Sequence, residues 1–312
     1  MLNRVQLGRV GIWSAAWSSA LRTGDAGLIG TVIDAAAELE ELGFGTLWIG
    51  QSASARHAGP VLDATRRVTV ATGIMSIWDY DAASVARLRA DLEHRHPGRF
   101  LLGLGVSHSQ FSPRYARPYS AMQRYLSGLD AAPEPVPAAG RVLAALGPRM
   151  LALARDRAAG AHPYLVTAGH IAAARAVLGP DALLAPELTV VLDEDPARAR
   201  RIARGFLSRY LAMSNYTASL ARAGFTDDDF GDGGSDRLVD ALFAFGTTET
   251  IAARIAAMFE AGADHVAVQV VTGTRRGLPL REWRQLAGVL PLIGAPPPGH
   301  TRPATGLASG GE

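Results

Sequence analysis

With 312 residues, 48% of them hydrophobic, the chain is long enough to bury a large core, as one barrel or as two smaller domains. It contains neither cysteine nor lysine, which excludes disulfides, thiolate nucleophiles, Schiff-base lysines and a P-loop lysine. The net charge is +2 with arginines scattered among carboxylates, and no long uncharged apolar run or leader pattern stands out. These features predict a cytoplasmic protein with neither a nucleic-acid nor a membrane partner.

Arg9–Trp13 reads as a first strand, and Leu28–Leu42 as a helix with Ile29, Val32, Ile33, Ala36 and Leu39 on one face, stopped by Gly43. Thr46–Gly50 is the second strand, Pro60–Arg67 a short helix and Val68–Met75 the third strand. Asp81 is placed to cap a helix carrying Val85, Leu88 and Leu92, with Pro97-Gly98 as its stop. Phe100–Leu104 then has the continuous apolar character of a buried parallel strand. It ends in Gly103-Leu104-Gly105-Val106-Ser107-His108, small residues followed by a titratable ring. The carboxyl ends of parallel strands are where ligands sit, so His108 is a candidate for chemistry as well as an ordinary loop histidine.

A helix over Tyr119–Leu129 and a Pro/Ala-rich surface connection, Ala131–Ala139, precede a fifth strand at Arg141–Leu146. Gly147-Pro148 opens the next helix, proline being favoured at the first helical position. A sixth strand is expected at His162–Val166, a helix at Ala168–Leu178 and a seventh strand at Leu188–Leu192. Asp195-Pro196 starts the helix Ala197–Met213, and Asn215–Ala244 holds further helical pieces. The aspartates after Thr226 lack the terminal glutamate of a calcium loop, and no two histidines share the spacing of a zinc helix, so no metal is expected. A helix over Thr247–Ala261, an eighth strand at His265–Val271 and a last helix at Leu280–Leu290 follow. The residues from 295 to 312 are Pro/Gly-rich and read as a disordered tail.

Eight strands alternating with helices predict an α/β fold. The expected form is a single (β/α)8 TIM barrel over residues 1–294, with extra helices between strands seven and eight. A doubly wound dinucleotide fold would need a glycine fingerprint after the first strand, and Gly11-Ile12-Trp13-Ser14 does not begin one.

Three stretches carry a family resemblance: Pro97–His108, Arg141–Val166 and Phe245–Val271. Together they resemble the luciferase-like monooxygenase superfamily, and within it the actinobacterial branch of oxidoreductases that use the deazaflavin coenzyme F420. The resemblance implies hydride transfer between F420 and a small organic substrate in a homodimeric barrel. An FMN-dependent monooxygenase, or a non-catalytic barrel that binds a flavin or deazaflavin, is the alternative.

It further implies that the third strand ends in a bulge, often with a non-proline cis peptide, that backs the tricyclic ring at Gly73, Ile74, Met75 and Ser76. On the residues alone, Gly73 also reads as a glycine easing a strand end. Gly105 and Ser107 would meet the cofactor, and Ala145, Leu146, Gly147 and Arg149 its phosphate. Arg275 and Arg276 are candidates for the acidic tail, or are simply exposed. Trp13, Trp17, Gln51, Trp78, Asp79 and Tyr80 are expected at the substrate mouth. The sugar-phosphate dehydrogenases of the superfamily carry an Asp-His pair where this chain has Gly50-Gln51 or Gln51-Ser52, and a glutamate where it has His108. That argues against sugar-phosphate oxidation and makes His108 the expected acid-base residue.

Overall fold

The computed structural model describes residues 6–51, 54–274 and 277–293; the expected tail lies outside them. Eleven strands appear among these residues: β1 Val10–Ser14, β2 Thr46–Gly50, β3 Thr69–Gly73, β4 Met75–Ser76, β5 Phe100–Gly105, β6 Arg141–Leu143, β7 Gly160–Ala161, β8 Leu183–Leu184, β9 Glu187–Val191, β10 Phe243–Phe245 and β11 Val266–Val270. All pair in parallel, in the order β10-β9-β11-β1-β2-β3-β5-β6-β7-β8, with β4 beside β5. The sheet is curled. β8 pairs with β7, while β9, three residues on, pairs with β11 and β10. Along this stretch of chain Ala185 N donates to Ala161 O, and Ala267 N to Pro186 O.

Alternation along the strands sorts the apolar residues into two layers. Trp13, Trp48, Ala71 and Leu101 stand in register across four neighbouring strands and form the cluster inside the curl. Ile12, Leu47, Val70 and Phe100, one residue earlier, belong to the main core with the helices. A third cluster, built on Phe206, Leu207, Leu220, Leu238 and Phe243, joins the helices Pro196–Leu211, Ser214–Arg222 and Asp236–Leu242 to β10. The last two helices fall in the stretch where extra helices are expected between strands seven and eight.

Caps explain several helix starts. Asp81 Oδ1 accepts from Ser84 N at 2.8 Å to open the helix Ala82–Arg95, and Asp195 caps Pro196–Leu211 through Ala197 N and Arg198 N. Inside the sheet, Gly103 has no room for a side chain: a Cβ there would stand 1.8 Å from Thr72 O.

The structure corrects several boundaries. The expected third strand breaks at Ile74 into β3 and β4, and the Gly73–Ile74 peptide is cis. The sixth strand is Gly160–Ala161 and not His162–Val166, because Pro163 has no N–H to continue the ladder and Leu165 takes φ 52°. The fifth strand stops at Leu143 rather than Leu146. Phe243–Phe245, expected to fall mostly within helical pieces, is a strand, and Ala15–Thr23 is an unexpected helix.

Candidate active site

A cavity of about 440 Å³ opens at the carboxyl ends of the strands, within the range of small-molecule sites. Its floor is Trp13 from β1 with Gly73 and Ile74 from the β3 break. Trp13 lies flat across two glycines. A Cβ at Gly50 would meet its six-membered ring at 2.4 Å, and a Cβ at Gly73 would meet Nε1 at 2.4 Å. Gly105, Ser107 and His108 form one wall, and Ala145, Leu146 and Gly147 the next. Gln51 and Ser107, at the exits of β2 and β5, stand in the left-handed region at φ 54° and 53°, a conformation held only by its surroundings in residues other than glycine.

The structure thus brings ten of the predicted residues together: Trp13, Gln51, Gly73, Ile74, Gly105, Ser107, His108, Ala145, Leu146 and Gly147. Seven others stand elsewhere. Trp17 is fully buried and stacks on Trp283 at 5.1 Å, on the helical side of the sheet and away from the mouth. Met75 is core, and Ser76 Oγ accepts from Trp78 N. Trp78 donates to Val106 O and packs near Tyr115, while Asp79 and Tyr80 face solvent. Arg149 is exposed, its guanidinium 4.4 Å over the Tyr119 ring. Arg275 and Arg276 lie outside the described residues.

His108 is half-buried between the Tyr216 and Phe111 rings, with Nδ1 3.0 Å from Asn215 Oδ1. Burial lowers its pKa, and the Asn215 contact partly offsets this. Nδ1–H donates to Asn215, which leaves Nε2 as the free base.

Several lining residues had no signal in the sequence. Tyr164, Tyr210 and Gln269 form a directed chain: Tyr164 OH donates to Gln269 Oε1 at 2.7 Å, so Tyr210 is the donor to Tyr164 at 3.0 Å. Behind them Glu187, 1% exposed, accepts from Leu165 N and Thr189 Oγ1, and burial pushes its carboxyl up to about 8. His162 also lines the cavity; Nδ1–H donates to Ala185 O at 2.6 Å, and burial lowers its pKa to about 4. At the rim stand Arg209 and Arg222, neither with a carboxylate within salt-bridge distance among the described residues. Arg222 donates to Leu146 O at 3.3 Å, beside Gly147, which caps the helix Pro148–Arg157 without a side-chain bond. A phosphate there would meet helix N–H groups and one guanidinium.

The sequence profile of the luciferase-like monooxygenase family matches residues 9–122 and 111–265. The chain belongs to this family. Solved structures agree in fold. An F420-dependent secondary alcohol dehydrogenase in complex with an F420-acetone adduct superposes with a TM-score of 0.70, at 14% identity over 93% of this chain and 100% of the other. The F420-dependent tetrahydromethanopterin reductase of Methanopyrus kandleri gives 0.66 at 15% identity, covering 92% of this chain and 99% of that one. The oxygenating constituent of 3,6-diketocamphane monooxygenase from Pseudomonas putida, in complex with FMN, gives 0.64 at 15%, covering 92% and 100%. No curated protein sequence matches. This luciferase-like chain is therefore an enzyme with a TIM-barrel-like fold whose structural neighbours are oxidoreductases. Among its described residues no helix is long and apolar enough to cross a membrane, and no cluster of three His, Asp or Glu could hold a metal.

Proposed function

We propose that the protein is an oxidoreductase that transfers a hydride between F420 and a small organic substrate, in a closed (β/α)8 barrel that works as a homodimer. The observation that carries the reading is the bare backbone of Gly73, Gly105 and Gly147, which lines one cavity together with the Trp13 and His162 rings. A planar, polar-edged ring system fits such a surface, and Gly147 with Arg222 fits its phosphate. The cofactor supplies the hydride chemistry when bound. The chain orients it, excludes water with the Tyr164, Tyr210 and Tyr216 cluster, and offers His108 Nε2 to take or return one proton.

FMN is the second reading, favoured by the FMN complex among the structural neighbours. Titration of the purified chain with F420 and separately with FMN, followed by visible absorption, tests both. F420 alone should bind tightly; tight FMN binding without F420 binding would move the assignment to a flavin monooxygenase. Arg222→Ala should weaken the phosphate-bearing cofactor about two- to fivefold and leave its dephosphorylated analogue unchanged, because a solvent-facing ion pair contributes about 1 kcal/mol or less. His108→Ala should abolish turnover while cofactor affinity persists. If neither cofactor binds, the oxidoreductase reading fails.

A further inference from the structure

We propose that the substrate carries a carboxylate, held by the Arg209 guanidinium and the Gln269 side-chain NH2 where the site opens into a second, larger cavity. That cavity, of about 960 Å³, lies beyond the exits of β1 and β11, against the helix Pro196–Leu211. It adjoins the candidate active site: the two share Ala15, Gln51, Phe206, Arg209 and Gln269 in their walls.

The fixed charge at this junction has one sign. Neither cavity has an Asp or Glu among its described lining residues, whereas Arg198, Arg201 and Arg209 line the larger one. Arg198 is engaged by Asp193. Arg209 is not. Its guanidinium rests 4.6 Å from the Phe206 ring and 5.3 Å from the Tyr210 ring, contacts that steady it and leave its N–H groups without a partner among the described residues. Gln269 is 7% exposed, and Tyr164 OH occupies its Oε1, so the amide presents only N–H donors. These have no partner among the described residues and are not sealed from solvent. A largely buried donor left unmade is costly. Glu187, behind Tyr164, keeps its proton at neutral pH and adds no opposing charge.

Donors and a positive charge, with the one acceptor already used, select an anion rich in lone pairs. A carboxylate answers both groups at once, each through a charge-assisted hydrogen bond. A ketone or amide oxygen makes weaker bonds to them, and an ammonium is repelled. Leu28, Val32, Ile202 and Leu278 in the larger cavity then suit a hydrocarbon body. The acidic tail of F420 offers carboxylates too, but Gly147 follows β6, four places along the sheet from β1. A cofactor phosphate anchored there leaves this side of the mouth to the substrate. Giving the carboxylate to the substrate rests on the oxidoreductase reading above; the subsite itself does not.

The probe is hexanoate, titrated into the full-length ¹⁵N-labelled chain and compared with hexanamide, its neutral counterpart. Hexanoate should move the side-chain NH2 pair that Gln269→Glu lacks. It should bind about tenfold more tightly than hexanamide at low salt, and the margin should narrow at high salt. Gln269→Glu keeps an acceptor for Tyr164 but sets a carboxyl against the ligand, and Arg209→Gln removes the charge; each should lose the preference. Equal affinity for the two probes, an unmoved Gln269 signal, or a preference intact in Arg209→Gln overturns the subsite. Hexanoate should still bind the F420-loaded chain; its displacement by F420 would give the spot to the cofactor tail and overturn the assignment to substrate. F420 binding is read separately by visible absorption, so a chain that takes hexanoate and no F420 fails the oxidoreductase reading alone.

Discussion

At the residue scale, His108 draws its character from two neighbours of opposite effect. Burial disfavours the imidazolium, and Asn215 partly restores it without adding charge. Asn215→Asp would place a carboxylate against the same nitrogen and raise the pKa by roughly one unit or more. The acidic limb of the rate–pH profile should move up by that amount, and an unmoved limb would remove His108 from the proton transfer. His108 was legible in the sequence because a glycine-rich strand end led straight to it. Tyr164, Tyr210, Tyr216 and Gln269 were not, because they reach the cavity from four separate segments and show no motif in any of them. Trp17 misled for the opposite reason. It comes four residues after Trp13 but lies in the helix Ala15–Thr23, past the end of β1, and that helix points it to the outer core.

At the element scale, the inner layer of the sheet is polar in a way the apolar pattern of the strands conceals. Trp48 Nε1 donates to His265 Nε2 at 3.0 Å, and His265 Nδ1–H donates to Gly8 O at 2.9 Å, so the ring ties β2 to the entry of β1. Trp48→Phe would strand a buried acceptor and loosen the stack on His162. We expect a loss of about 2–4 kcal/mol in urea unfolding. A change below about 0.5 kcal/mol would show that water or a ring shift satisfies His265. The long central strands were legible because each is a continuous apolar run. β7, β8 and β10, of two or three residues each, were displaced or missed because nothing so short has a readable period, and prolines at 163 and 186 interrupt the neighbouring runs.

At the scale of the whole molecule, buried groups of both kinds give stability a maximum in pH. His162, His170 and His265 are each lowered by burial to about 4, against about 6.5 when unfolded. Between those values the unfolded chain binds more protons, so stability rises with pH. Glu187, raised by burial to about 8, against about 4.3 unfolded, acts in the other direction: the folded chain holds its proton, and stability falls as pH rises. Three groups outweigh one below about pH 6.5, and above it only Glu187 still changes. Urea unfolding across pH 5–9 should therefore peak near about pH 6.5. Glu187→Gln should flatten the alkaline side; a wild-type curve still rising at pH 8 would contradict this reading.

The pairing of β1 with β11 also has a consequence for biosynthesis. Val10–Ser14 is the first strand a ribosome delivers among the described residues, and one of its two neighbours, Val266–Val270, is the last. β2 covers one flank early. The other flank stays bare, apolar and hydrogen-bond-hungry for almost the whole of translation, the condition that invites pairing with another nascent chain. A transcript cut short before Val266 would leave that edge open for good, and its product should need a chaperone or precipitate.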